Sequence, residues 1–330
     1  MTLLEARDLQ VWFDLPRGGR LHAVQGVSFS VDPGERVGLV GESGCGKTTA
    51  LLALMGLLPP SAEVAGEVFL EGEGILAGGE DSVRPHRWTD VAMVFQGAMN
   101  AFDPVKTIGR QLVEPMEAHA IASGQAAEAA AGELLELVGI PRTAAERYPH
   151  EFSGGMRQRA AIAMALSAQP KVLLADEPTT ALDVMVQAQI LRLLENLTRD
   201  LDLALILVTH DLPLVAQVCD RAAVMYAGRI VEQGPMDTLF HDPRHPYTRM
   251  LFAATPDLSG VEEVLSIPGA PPRLDRPIAG CPFAPRCDRT FDRCRLDDPP
   301  LLDLAPGHEA ACHLNDPREA DRAPATEGAT

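Results

Sequence analysis

Short apolar runs alternate along the chain with glycine-rich and charged segments. Three runs have the length and composition of buried parallel strands: Arg36–Val40, Lys171–Ala175 and Leu203–Thr209. The stretch Thr49–Leu58 is an apolar helix that the following Pro59 and Pro60 are expected to end, and Glu114–Gly139 is helical in composition. Because strands and helices alternate again over residues 170–234, the pattern predicts an α/β fold around a parallel, doubly wound sheet.

The segment after the first predicted strand is a phosphate-binding motif. Gly41–Thr48 fits the pattern G-x-x-x-x-G-K-[ST] without deviation. Its glycines let the backbone turn tightly, so that successive N–H groups can cradle the α- and β-phosphates of a nucleoside triphosphate. Lys47 can then reach the β- and γ-phosphates, the Thr48 hydroxyl can bind Mg²⁺, and the dipole of the following helix favours the anion. The nucleotide-binding residues predicted here are Gly41, Glu42, Ser43, Gly44, Cys45, Gly46, Lys47, Thr48 and Thr49.

Acidic and imidazole side chains follow the other two predicted strands. Asp176 and Glu177 end one strand and His210 ends the other, at the edge where open α/β sheets bind ligands. Asp176 suits a role in holding Mg²⁺ or its water. Glu177 suits orienting or deprotonating the attacking water, because phosphoryl transfer depends on positioning and charge neutralisation. Two acids at a strand end can also be a solvated turn, but the P-loop requires a carboxylate on the magnesium side, and no other strand offers one so placed.

A fourth segment, FSGGMRQR, begins at Phe152 and precedes the acidic strand end. The order of these segments resembles that of the ATPase subunit of an ABC transporter, and FSGGMRQR is similar to its signature motif. The core of the signature is present as Ser153, Gly154 and Gly155, whereas Phe152 and Met156 replace its usual leucine and glutamine. The resemblance implies that the helix beginning here binds the γ-phosphate of ATP held by an opposite subunit, in a head-to-tail dimer with two nucleotides at its interface.

The resemblance also assigns roles to residues outside these segments. Gln96 matches the Q-loop, which contacts Mg²⁺ and links to the membrane partner, Asp183 matches the D-loop, and His210 matches the switch histidine. Phe13 is favoured over Trp12 as the aromatic residue that stacks on adenine, although an inserted segment follows it. The implied catalytic residues are Glu177, Gln96 and His210, and the implied Mg²⁺ ligands are Thr48, Gln96 and Asp176.

Past Gly234 the composition changes and prolines concentrate. The segment HDPRHPYTRMLFAATP, the run PGAPP and the run GCPFAPRC resemble those of the oligopeptide/dipeptide importer branch. The prolines favour an extended appendage over a place inside a sheet. We therefore expect a P-loop ABC ATPase fold over residues 1–257, with a RecA-like parallel core, an antiparallel β subdomain and a helical subdomain over about 97–165. A separate Pro/Cys-rich extension is expected over 258–330, with a disordered end from Glu319.

Four of the six cysteines fall in this extension: Cys281, Cys287, Cys294 and Cys312. Clustered thiols in a cytosolic protein indicate a metal before disulfides. The spacing contains no C-x-x-C knuckle and misses the compact ferredoxin run, so it leaves an iron–sulfur cluster, zinc, and free or disulfide-bonded thiols open. The resemblance favours a [4Fe–4S] cluster, because some ATPases of this branch carry one on a similar tail. A structural staple is its expected role, and nucleotide binding on a separate core is expected not to depend on it.

Composition and charge limit the class of partner. The formal net charge of −18 and the aromatic share of 5% argue against a protein that binds nucleic acid. The start of the chain lacks the features of a secretory signal, and no apolar run approaches the ~18 residues of a membrane span. We therefore expect the chain at the cytoplasmic face of the inner membrane, in contact with the membrane only through permeases.

The resemblance implies the other components of an importer of dipeptides or oligopeptides. These are a second, different ATPase subunit, two permease subunits and a periplasmic or lipoprotein peptide-binding protein. Nickel, glutathione and peptide antibiotics stay open as cargo, since importers of these use similar subunits. A soluble ABC ATPase acting on DNA or the ribosome is the other class. It is disfavoured because the chain has one cassette, an acidic composition and no long heptad insertion.

Overall fold

A computed structural model describes residues 2–16, 18–77, 79–98, 101–254 and 267–322 of the chain. The strands in these ranges are β1 (Leu4–Asp14), β2 (Arg20–Val31), β3 (Arg36–Val40), β4 (Ala62–Leu70), β5 (Glu73–Gly74), β6 (Val91–Val94), β7 (Val172–Asp176), β8 (Ala204–Thr209), β9 (Arg221–Tyr226), β10 (Arg229–Pro235), β11 (Leu302–Ala305) and β12 (His308–Ala310). The α-helices are α1 (Lys47–Leu54), α2 (Glu80–Val83), α3 (Ile108–Ala118), α4 (Gly124–Leu137), α5 (Gly154–Ala165), α6 (Val184–Leu201), α7 (Leu212–Val218), α8 (Met236–His241), α9 (Pro246–Ala253) and α10 (Asp292–Leu296).

The larger sheet contains the predicted parallel core. Its strand order is β11-β12-β10-β9-β3-β8-β7-β6, and the strands from β9 to β6 are parallel. Successive residues of β7 enter two different apolar cores: Leu173 and Ala175 pack on one face, Val172 and Leu174 on the other. Because both faces are buried, the strands read as continuous apolar runs rather than as alternating ones.

The second sheet, with strand order β2-β1-β4-β5, is antiparallel and matches the predicted antiparallel subdomain. The segment inserted after Phe13 forms the end of the β1–β2 hairpin. There Phe13 lies opposite Leu21, and Asp14 lies opposite Arg20. The hairpin therefore extends the sheet and leaves Phe13 in its regular strand position.

Two predicted helices differ from those observed. Helix α1 ends at Leu54 rather than at the prolines, because Gly56 takes a left-handed φ of +59° and donates its N–H to the Ala53 carbonyl oxygen. The helical stretch predicted as Glu114–Gly139 is two helices, α3 and α4. They are separated near Ala120, whose φ of +56° breaks the helical path.

Helices α3, α4 and α5 pack around one part of the larger apolar core, with Ile108, Leu112, Leu135 and Ile162 fully buried. They coincide with the helical subdomain predicted over about 97–165, although the domain limits stay a prediction. The proposed boundary at residue 257 lies outside the described residues. At the far end, helical turns continue over Pro317–Arg322, past the predicted start of disorder, and residues 323–330 lie outside the described ranges.

Part of the proline-rich extension, which was expected as an extended appendage rather than as sheet interior, joins the larger sheet. Strand β12 pairs antiparallel with β10, and β11 pairs with β12, so that the extension forms one edge of the larger sheet. The proline of this segment, Pro306, lies with Gly307 in the turn between the two strands, where its missing N–H costs no ladder hydrogen bond.

Throughout the described ranges, no helix has both the length and the apolar character needed to cross a membrane.

Candidate active site

The loop between β3 and α1 is the centre of the candidate site. Its backbone takes positive φ angles at Gly41 (+148°) and Gly46 (+106°). A Cβ atom at Gly41 would lie 2.2 Å from the carbonyl oxygen of Met225, and one at Gly46 would lie 2.5 Å from that of Ala23. Strands β9 and β2 approach so closely that only glycine fits at both positions. These contacts set the curve of the loop and place Lys47 at the start of α1.

The Lys47 side chain binds carbonyl oxygens within the loop. Its ammonium group donates to the carbonyl oxygens of Gly41 (2.7 Å) and Glu42 (3.0 Å), and the residue is only 5% exposed. The side chain thus holds a positive charge within the curve formed by the loop. A glycine-rich loop with such a charge at a helix N-terminus fits a polyphosphate.

Thr48 and Asp176 meet at the end of β7. The Thr48 hydroxyl donates to Oδ1 of Asp176 at 3.0 Å, and Asp176 is 2% exposed. Burial raises the pKa of Asp176, and the hydrogen bond from Thr48 opposes that effect. A hydroxyl and a carboxylate are oxygen ligands of the kind that Mg²⁺ prefers, so this pair fits the predicted metal site.

Glu177 collects hydrogen bonds from three separate elements. Nε2 of Gln96 donates to one carboxylate oxygen at 2.9 Å, as does the Thr180 hydroxyl at 2.9 Å, and Nδ1 of His210 lies 3.2 Å from the other oxygen. Burial alone would raise the pKa of Glu177, but the hydrogen bonds from His210 and Thr180 outweigh it and hold that pKa below its ordinary value. The carboxylate is therefore ionised at neutral pH and oriented from three sides.

Gln96, predicted as a Mg²⁺ ligand beside Thr48 and Asp176, donates to Glu177 in this structure, and its role as a metal ligand stays a prediction. Thr180 was not predicted, and its position three residues after Glu177 is the only signal for it in the sequence. Its hydroxyl completes the set of donors on the carboxylate.

A cavity of about 650 Å³ opens in front of the loop. Gln96, Glu177 and His210 lie on its wall with the P-loop residues Ser43, Gly44 and Gly46–Thr49. Phe13 also lines the cavity, whereas Trp12 stacks on His22 with ring centroids 4.6 Å apart. Neighbouring residues of a strand point to opposite faces, so only one of the two aromatic side chains can face the site. The structure places Phe13 there, and its adenine-stacking role stays a prediction.

Two residues of the extension, Pro272 and Leu274, complete the cavity wall. The Leu274 carbonyl oxygen accepts a hydrogen bond from the His22 N–H at 3.0 Å, which joins this segment to β2. The expectation that the extension is separate from the nucleotide site is therefore wrong. The sequence could not show this contact, because about 250 residues separate Leu274 from His22.

The signature and D-loop residues lie elsewhere. Ser153 is exposed and caps α5, accepting a hydrogen bond from the Met156 N–H at 3.2 Å. Asp183 is exposed and caps α6 through the Val186 N–H at 3.0 Å. Among the described residues that line the cavity, none belongs to either motif. Both caps therefore lie outside the nucleotide cavity of their own chain.

The four cysteines of the extension line one narrow cavity with His245 and His313. All six cysteines of the chain lie in the described ranges, and each is a free thiol. Burial raises the pKa of Cys281 to about 11 and that of Cys312 to about 12, and the neighbouring thiols contribute in the same direction. In the described part of the chain, no group of three or more histidine, cysteine or acidic side chains is arranged to hold a metal ion.

Comparisons with known proteins agree with this site. The ABC transporter family matches residues 24–180, and the oligopeptide/dipeptide transporter C-terminal region matches residues 231–294. The oligopeptide transport ATP-binding protein OppD of Bacillus subtilis (strain 168) is 46% identical over 93% of this chain and 87% of its own length. OppD of Escherichia coli (strain K12) is 45% identical over 94% and 93%, and the dipeptide transport ATP-binding protein DppD of Bacillus subtilis (strain 168) is 45% identical over 94% of both chains.

A solved structure shows the same fold. A dimeric ATP-binding cassette in a post-hydrolysis state, bound to ADP and phosphate, superposes with a TM-score of 0.63 at 26% identity. It covers 71% of this chain and 99% of its own. With the P-loop, Gln96, Glu177 and His210 around one cavity, these matches show that the chain is an ABC-type ATPase and belongs to the ATP-binding subunits of the oligopeptide/dipeptide transporter family.

Proposed function

We propose that this chain powers the import of dipeptides or oligopeptides as an ATPase subunit of an ABC transporter. The observation that carries the proposal is the similarity to peptide transport subunits along nearly the whole chain, including the C-terminal region. Peptides are favoured over nickel, glutathione or peptide antibiotics because the relatives' names specify oligopeptide and dipeptide transport. The cargo is selected by the binding protein and the permeases, and this chain supplies the energy.

The geometry supports hydrolysis by positioning and charge. Lys47 and the P-loop N–H groups bind the phosphates, and Thr48 and Asp176 would hold Mg²⁺, which when bound neutralises charge on the phosphate oxygens. Glu177 orients the attacking water and accepts its proton. His210, Thr180 and Gln96 hold the carboxylate of Glu177 in place.

A productive site requires a second cassette. Ser153 and its neighbours cap α5 at an exposed position outside their own nucleotide cavity, and the similar solved cassette is a dimer. We propose a head-to-tail dimer with a different ATPase subunit, docked on two permeases at the cytoplasmic face of the inner membrane. A periplasmic or lipoprotein peptide-binding protein would deliver the cargo.

The isolated chain is therefore expected to be a poor ATPase. ATPase activity should rise when the partner ATPase is added, and peptide uptake should require both subunits with the permeases in lipid vesicles. Steady-state turnover and uptake of labelled peptides are measured for the chain alone, the ATPase pair and the full assembly. Full turnover by a dilute monomer, independent of its concentration, would contradict the dimer, and uptake of nickel or glutathione instead of peptide would redirect the cargo.

We also propose that Cys281, Cys287, Cys294 and Cys312 bind one [4Fe–4S] cluster as a structural staple of the extension. Thiolates are the usual ligands of such clusters, and the four thiols line one cavity. Because the thiols are not arranged as a metal site in the described residues, they would have to close around the cluster. Their raised pKa values also mean that binding must release protons.

Protein purified without oxygen is expected to be brown and to contain about four irons per chain. Any single Cys→Ser change at the four positions should remove the colour, because each thiolate holds the same centre. Metal analysis and absorption spectra check this, with Cys219→Ala as the control that keeps both iron and colour. One zinc per colourless chain would favour a tetrahedral zinc site, and metal-free protein with accessible thiols would eliminate both metals.

A further inference from the structure

Arg286 of the extension is buried against the P-loop. Its side chain is 4% exposed, and its guanidinium group pairs with the Glu42 carboxylate through two bonds, Nη1 to Oε2 at 2.6 Å and Nη2 to Oε1 at 2.9 Å. The remaining donors reach the carbonyl oxygen of Pro268 (2.7 Å) and the hydroxyl of Tyr226 (3.3 Å). A two-bond arginine–carboxylate pair with further hydrogen bonds fixes the orientation of both partners.

Glu42 is the second residue of the P-loop, and it is held at three points. Arg286 binds its side chain, its N–H donates to the hydroxyl of Tyr247 at 2.9 Å, and its carbonyl oxygen accepts from Lys47 at 3.0 Å. Tyr247 is fully buried and packs on Tyr226, with ring centroids 4.6 Å apart. The peptide between Gly41 and Glu42 is therefore oriented by side chains from outside the P-loop.

The ion pair also neutralises the charge that Glu42 brings to the P-loop. An unpaired carboxylate on this loop would repel a polyphosphate, and the Arg286 guanidinium, which is 4% exposed, offsets the charge of a carboxylate that is 25% exposed. An ion pair that only attached the extension would not need burial. The ion pair between Arg249 of α9 and Asp288 of the extension is an example of such an attachment. Its atoms are 2.7 Å apart, and both side chains are about half exposed.

We propose that Arg286 is a positioning residue for ATP, which holds and neutralises Glu42 so that the C-terminal extension completes the phosphate-binding loop. The proposal rests on the ATPase function given above. Cys287, the next residue in the chain, lines the cysteine cavity, so a change in that cavity would shift Arg286 and through it the P-loop.

The test is equilibrium binding of ATP to the full-length chain, beside the melting temperature of the nucleotide-free protein. Arg286→Gln is expected to weaken ATP binding about tenfold, in the range usual for coupling between two sites. Glu42→Gln should also weaken binding, because it breaks the two-bond pair through which the guanidinium orients the loop. The double variant should lose less than the two single losses combined, since two amides can bond to each other and no charge is left unpaired.

Arg249→Gln is the matched control, and it should keep the wild-type affinity for ATP. Wild-type affinity in folded Arg286→Gln, or an equal loss in the control, would overturn the role of Arg286, as would strictly additive losses in the double variant. If Arg286→Gln does not fold, Arg286→Lys decides, because it keeps the charge but cannot form both bonds. Weaker binding by Arg286→Lys at an unchanged melting temperature supports the role, and unchanged binding overturns it. A wild-type chain that binds no ATP would contradict the proposed function as well.

Discussion

Glu177→Gln is expected to slow ATP hydrolysis by about 10²–10⁴-fold while ATP binding is retained, because one proton acceptor is lost. The amide keeps the shape of the side chain and can still contact Thr180, Gln96 and His210. It cannot accept a proton from water, however, and the charge that orients the imidazole is gone. The loss should therefore appear in kcat rather than in the affinity for nucleotide.

This expectation is checked by steady-state turnover and nucleotide trapping in the assembled transporter. Glu195→Gln, on the partly exposed face of α6, is a matched control that should turn over at the wild-type rate. Since hydrogen bonds hold the pKa of Glu177 below its ordinary value, the wild-type base should stay ionised as the pH falls through neutrality. Turnover by Glu177→Gln near the wild-type rate would assign water activation to another group.

Lys47→Ala is expected to act on nucleotide binding itself. The ammonium group donates to the Gly41 and Glu42 carbonyl oxygens, so its removal takes away both a positive charge and two hydrogen bonds that shape the loop. A hydrogen bond to a charged group is worth about 1.5–3 kcal/mol, so the loss of one such bond to phosphate corresponds to a loss in affinity of about tenfold to a hundredfold.

Equilibrium binding of ATP to the full-length chain measures this loss. Lys106→Ala provides the comparison, because Lys106 pairs with Glu114 at an exposed site on α3 and should leave the affinity unchanged. The two predictions are separable: Glu177→Gln should bind ATP without turnover, and Lys47→Ala should bind it about tenfold to a hundredfold more weakly. Wild-type affinity in Lys47→Ala would mean that the loop backbone alone holds the phosphates.

The sequence alone determined those features of the site and the core that depend on residues close together in the chain. Gly41–Thr48 lies between β3 and α1, and its glycines permit the positive φ angles that the loop needs. The location of Asp176 and Glu177 was predictable too, because the carboxyl end of a buried parallel strand lies at the ligand-binding edge of such a sheet. The parallel core was predictable for a related reason, since burial on both faces leaves a continuous apolar run in each strand.

Tertiary structure decided the features that depend on residues far apart in the chain. Strand register places Phe13 rather than Trp12 on the cavity wall, and the pairing of β6 and β8 with β7 brings Gln96 and His210 to Glu177. The contact between Glu42 and Arg286 spans 244 residues. No local pattern encodes such a pair, because a P-loop glutamate and an arginine that follows a proline become partners only when the chain folds and brings the extension against the P-loop.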